Sequence, residues 1–154
     1  MKRLVALISV AIVGAAASAS AYTLPSYAYE DMFKMSDLVV IARPAASRDT
    51  GERHLDRHVS PPVPVAGVVT VCDALYVLKG PKLKKFKLHH FRDLTDPNRV
   101  VIGGPTGISF DIPKNHRYLM FLVREPGGRF VPFAGQTDVV DISVQEISGV
   151  TVDW

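Results

Sequence analysis

Along the chain, runs of aliphatic and β-branched residues are repeatedly cut by glycine, proline and charged clusters. Residues 37–45 (DLVVIARPA) are a β-branched apolar run, and 65–78 (VAGVVTVCDALYVL) are apolar on both alternating faces except at Thr70 and Asp73, the pattern of a strand covered on two sides. A strand as long as the second has to bend, and Gly67 or the Asp73-Ala74 pair are the expected points for a bulge. Lys79-Gly80-Pro81 stops it. Residues 84–91 (KKFKLHHF) alternate: Phe86, Leu88 and His90 fall on one face, Lys85, Lys87 and His89 on the other, so one face meets a core and one meets water. Residues 117–124 (RYLMFLVR) predict a further strand, and Pro126-Gly127-Gly128 a hairpin turn into 129–133. Short runs at 100–102 and 108–112 are strand candidates around a Gly-Gly-Pro turn, and 138–152 reads as a strand or a short helix. Ahead of them all, residues 27–36 (YAYEDMFKMS) place their apolar side chains at roughly helical spacing. The predicted core is Val71, Leu75, Val77, Phe86, Leu88, Tyr118, Met120 and Leu122.

The polar remainder divides in two. Residues 47–64 (SRDTGERHLDRHVSPPVP) are rich in charge and end in three prolines within four residues, so they read as a long exposed loop between the first two strands. At the start, Met1-Lys2-Arg3 is basic, residues 4–13 are apolar but for Ser9, and 14–21 are Gly, Ala and Ser. That is the pattern of a secretory signal peptide, with Ala19-Ser20-Ala21 as the cleavage site and Tyr22 as the mature N-terminus. The expectation is an exported protein, periplasmic or secreted, with no stable membrane insertion after cleavage. Residues 22–154 then form a single domain with its core at about 27–133.

Export changes the charge argument. Lys2 and Arg3 leave with the leader, so the formal net charge falls from +3 to +1. A nucleic-acid partner loses its support from overall charge. The single cysteine, Cys72, rules out an internal disulfide, so packing alone must hold the domain.

The order of elements resembles a known plan. Phe33 in a short helical lead is followed by Ser36-Asp37-Leu38-Val39-Val40-Ile41-Ala42, a loop, then Thr70-Val71 with Leu75-Tyr76-Val77-Leu78-Lys79-Gly80. A polar-alternating strand comes next, then Tyr118-Leu119-Met120-Phe121-Leu122 before a Gly-Gly hairpin. This is similar to the netrin-like domain and the N-terminal domain of tissue inhibitors of metalloproteinases, and to exported bacterial proteins of that build. The resemblance implies a mostly β fold, a five- or six-stranded antiparallel OB-like barrel with minor helix. It does not carry protease inhibition, because that mechanism needs a disulfide-bonded N-terminal cysteine and this chain has no cysteine pair. The chain also departs from the plan at Lys114-Asn115-His116, where related sequences tend to have glycine; Asn115 can supply the same left-handed turn.

Candidate chemistry is sparse. Lys82, Lys84, Lys85, Lys87 and His89 form a basic cluster that suits an anionic envelope component or an unknown protein partner, and it equally suits a solvated face whose lysines deter edge pairing. His54 and His58, spaced i,i+4, would share one face of a helical turn and so offer two metal ligands, with Asp49, Glu52, His89 or His90 as a third. No cofactor motif is present: the glycines at 103, 104 and 107 lack the Gly-Lys-Ser/Thr of a phosphate loop. Cys72, among Val69, Val71 and Ala74, reads as a core residue and not as a nucleophile. The leading expectation is a non-enzymatic binding module of unknown ligand. A small metal-binding or metal-dependent protein using His54 and His58 is the alternative, and a structural envelope subunit without a ligand is a third.

Overall fold

The computed structural model describes residues 27–57, 62–94, 107–136 and 142–147. Residues 1–26, which include the expected signal peptide, His58, the strand candidate at 100–102 and the Gly-Gly-Pro turn lie outside the described residues. The described chain is mostly β: a short helix α1 (Tyr29–Met35), then β1 (Leu38–Asp56), β2 (Val63–Lys79), β3 (Lys85–Asp93), a 3-10 turn (Ile112–Lys114), β4 (Arg117–Arg124), β5 (Phe130–Pro132) and β6 (Val144–Ile147). Among the described residues no helix is long and apolar enough to cross a membrane.

Five strands pair in a ring, β1–β2–β3–β5–β4 and back to β1, with β6 added alongside β4. The expected all-antiparallel pairing is corrected at one seam, where β3 and β5 run parallel with Leu88 opposite Phe130. The reason is parity. Strand direction reverses at each antiparallel step, so a closed ring with an odd number of strands must contain a parallel neighbour.

Of the region read as a long exposed loop, residues 47–56 and 63–64 are strand. β1 continues to Asp56 and pairs with β2 as far as Asp56 opposite Val63. Its side chains at 45–49 are exposed, which gave the polar signal, while β2 takes up the backbone hydrogen bonds. The register slips between Asp49 and Arg53, directly across from Gly67, where a side chain would run into Thr50 and Glu52. A second slip passes over Leu75, one residue beyond the Asp73-Ala74 pair. Residues 108–112 are not a strand. Ile108 is buried and the chain then turns through Ile112–Lys114 into Asn115, which sits in the left-handed region at φ 54° and ψ 30°.

Inside the ring, Leu38, Val40, Leu88, Met120 and Leu122 are fully buried, joined by Phe86 and Tyr118. A second cluster lies under the helix, where Met32 packs on Val39 and Phe121. Three members of the expected core are only half-buried: Val71, Leu75 and Val77. Val71 lies opposite Lys87, on the face of β2 turned away from the main core, while Leu75 and Val77 lie beyond Asp73, where the β2–β3 ladder ends and β2 has β1 as its ladder partner.

Candidate functional site

The basic cluster is built by the turn after β2 and the start of β3. Leu83 turns toward the main core, so Lys82 and Lys84 on either side of it face out. Lys85 and Lys87 are exposed on the outer face of β3. Lys85 is not free: its Nζ lies 3.0 Å from Asp73, which also takes Arg43 at 3.2 Å, and these two cations hold the Asp73 carboxyl below the usual range. The ammonium groups of Lys82, Lys84 and Lys87 make no hydrogen bond or ion pair with the described residues.

His89 does not belong to that surface. The alternation that places it with the lysines holds for the backbone, but the side chain is only 3% exposed. The bulge in β1 brings Glu52 over it, and the β4–β5 turn brings Glu125. Nε2 lies 3.1 Å from Glu52 and Nδ1 3.2 Å from Glu125, with the Gln136 amide 3.0 Å from Nδ1. Arg129 pairs with Glu125 and approaches Glu52 at 4.0 Å. The result is a clamp that ties β1, β3 and the β4–β5 turn together. Its two carboxylates stand at opposite ring nitrogens, so they cannot share an ion with the imidazole. Nothing in the sequence marks Glu52, Glu125 and Arg129 as neighbours, because the bulge and the hairpin bring them together.

Of the two histidines of the metal alternative, the structure describes one. His54 is exposed and lies in β1, not in the helical turn that i,i+4 ligation requires, with its ring centroid 5.2 Å from that of Phe91. His58 lies outside the described residues. Asp49 is occupied: it accepts from Arg53 at 2.9 and 3.0 Å, from the Gly51 amide at 2.8 Å and from Arg92 at 2.9 Å, which hold its carboxyl far below the usual range. Among the described residues no group of three or more His, Cys, Asp and Glu side chains is arranged to hold a metal ion.

Two buried groups complete the inventory. Burial pushes the Cys72 thiol up to about 12, so it is an inert core residue as its neighbours implied. His90 is 2% exposed, and burial lowers its pKa to about 4 although the backbone of Phe91 and Ile108 opposes the shift. Its Nε2 lies 2.8 Å from Thr70 Oγ1, while its Nδ1 has no partner within hydrogen-bond geometry. On the opposite surface, the half-exposed Tyr29, Phe33 and Leu78 line an apolar groove of about 410 Å³ with Leu119 and Phe121.

No family model matches the chain, and no curated protein matches it.

Proposed function

We infer that the protein is an exported binding module that holds an anionic envelope or extracellular partner on the surface formed by Lys82, Lys84 and Lys87. The observation that carries this reading is that three exposed ammonium groups, set in a turn and an adjoining strand, are left without any counter-charge among the described residues. Elsewhere on the described surface most cations are neutralised: Arg43 and Lys85 by Asp73, Arg53 and Arg92 by Asp49, Lys34 by Glu30. A local excess of like charge on a rigid element attracts an anion without first having to be ordered. The strand order, with its parallel β3–β5 seam, supports an OB-type barrel, a scaffold that hosts binding surfaces more often than it dictates a chemistry. Export rests on the basic, apolar and small-residue succession of residues 1–21, and the mature chain then begins at Tyr22.

The test is capture from an envelope extract on immobilised mature protein at low salt. A partner held by these lysines stays bound at about 0.02 M salt and is released as the Debye length shrinks below about 8 Å, above roughly 0.15 M. Capture that persists unchanged in 1 M salt contradicts an electrostatic surface.

A further inference from the structure

The outer face of the sheet joins the apolar groove beside α1 to the basic strand. Paired residues of an antiparallel ladder share a face, and Ile41 stands opposite both Tyr76 of β2 and Leu119 of β4. Two residues along, the buried pair Val39 and Phe121 floors the groove. Tyr29 and Phe33, one helical turn apart on α1, wall it together with Leu78. The large side chains that rise around this floor are exposed: Tyr29 by 59%, Phe33 by 41%, Tyr76 by 42% and Leu78 by 52%. Four such groups side by side mark a surface that meets something other than water.

Cations rim the patch. Asp73 shares the outer face with Tyr76 despite their odd spacing, because the register slip takes up Leu75. Asp73 lies opposite Arg43 on β1 and Lys85 on β3, and next along the same face comes Val71, opposite Lys87. Lys82 and Lys84 lie on the turn between β2 and β3. At the end of β2, Lys79 Nζ stands 5.7 Å from the centre of the Phe33 ring and donates to the Phe33 and Lys34 carbonyls at 2.7 and 2.6 Å. The carboxylates nearby are taken: Glu30 by Lys34, and Asp73 by both Arg43 and Lys85, of which it cancels only one. Asp31, two residues from Tyr29 and from Phe33, lies on another side of the helix. Lys79 and Lys87 face no carboxylate among the described residues, so the rim carries an excess of positive charge.

We propose that this face docks on an anionic phospholipid bilayer, so that the partner of the lysine surface is a membrane. The proposal rests on the lysine surface put forward above and adds the apolar patch to it. Phe33, Leu78 and the rings of Tyr29 and Tyr76 enter the boundary between headgroups and acyl chains, where a ring with a polar tip is well placed. Lys79, Lys82, Lys84 and Lys87 stay at the level of the lipid phosphates. Neither signal is strong alone, but on one face their contributions to the partition coefficient multiply. A bilayer fits this face better than a folded protein, because the side chains of Phe33, Val39, Leu78, Leu119 and Phe121 hold no donor or acceptor with which to choose a partner.

The experiment sediments the mature protein with vesicles of phosphatidylcholine alone and of equal parts phosphatidylcholine and phosphatidylglycerol, at about 0.02 M salt. Binding to the mixed vesicles and not to phosphatidylcholine is expected. Lys84→Glu/Lys87→Glu is expected to weaken it at least about twentyfold, roughly fivefold for each ammonium group lost. Phe33→Ser/Leu78→Ser exchanges two exposed side chains and leaves every charge in place. It is expected to weaken vesicle binding about tenfold or more while retention on dextran sulfate, a soluble polyanion, stays unchanged. In Phe33→Trp, the added emission is expected to shift to the blue on mixed vesicles and to be quenched by brominated acyl chains. No binding to mixed vesicles, undiminished binding of Phe33→Ser/Leu78→Ser, or Phe33→Trp emission that ignores brominated chains each overturns the membrane proposal. If vesicles fail while capture from envelope extract stays lysine-dependent, the proposed function survives with another partner. If vesicles bind Lys84→Glu/Lys87→Glu as strongly as wild type, the membrane proposal falls and the lysine surface is contradicted with it.

Discussion

His90 makes the stability of the fold depend on pH in a direction that the structure fixes. In the folded protein its pKa lies at about 4, because burial disfavours the charged ring; an unfolded histidine titrates near 6.5. Above 6.5 the ring is neutral in both states and costs nothing. As pH falls from 6.5 toward 4 the unfolded chain takes up a proton that the folded chain refuses, so stability is lost across that window and the loss levels off below it. The gap between 6.5 and about 4 is worth about 3 kcal/mol, which is a large share of the roughly 5–15 kcal/mol that holds a typical domain together. Asp49 and Arg92 line a groove beside the ring, and the charge of His89, its neighbour on the opposite face, also lowers its pKa. They remain in place in a His90→Gln variant, so comparing the two proteins isolates the ring. Urea unfolding followed by circular dichroism at pH 7, 6, 5 and 4 gives the stability of each. Wild type is expected to lose about 3 kcal/mol more than His90→Gln between pH 7 and pH 4. Parallel pH dependences for the two proteins would refute the buried neutral imidazole.

Other consequences are checked in the same way. Leu88→Ala removes a fully buried side chain at the parallel seam and is expected to cost about 2–5 kcal/mol by denaturant unfolding; a loss below about 0.5 kcal/mol contradicts the central place of β3. Glu125→Gln takes one carboxylate from the His89 clamp, and a loss of about 1–3 kcal/mol is expected, whereas an unchanged midpoint means that the clamp carries no stability. Cys72 is expected to stay unreactive toward a disulfide reagent at pH 8 until the protein is unfolded, and rapid labelling of the native protein contradicts its burial. Asn115→Val puts a β-branched residue at φ 54° and is expected to lower stability by about 1–3 kcal/mol, while Asn115→Gly is close to neutral.

The sequence yields the strands whose apolar pattern is strong and misses what depends on distant partners. β4 falls on residues 117–124 as read, α1 lies within the predicted helical lead, and Asn115 takes the left-handed turn expected of it. The far half of β1 was hidden because strand pairing leaves its side chains in water, so polarity looked like a loop while β2 satisfied the backbone. His89 and His90 show the limit of a period-two pattern. Alternation correctly sends them to opposite faces, yet it cannot say that the outer face is roofed at His89 by a bulge in β1 and a turn between β4 and β5. The Ser47, Thr70 and His90 chain is equally invisible, since its members come from three strands.

The proposed function requires that the lysine surface, and not the histidine-bearing end of β1, makes contact with the partner. The most direct measurement compares two double variants of the mature protein, Lys84→Glu/Lys87→Glu and His54→Ala/His58→Ala, in capture from envelope extract at about 0.02 M salt. Lys84, Lys87 and His54 are exposed, and matched circular dichroism spectra verify the fold of both variants. The expected result is that the lysine variant loses the partner and the histidine variant keeps it. If the histidine variant loses the partner while the lysine variant retains it, the lysines are not the contact surface and the proposed function is contradicted.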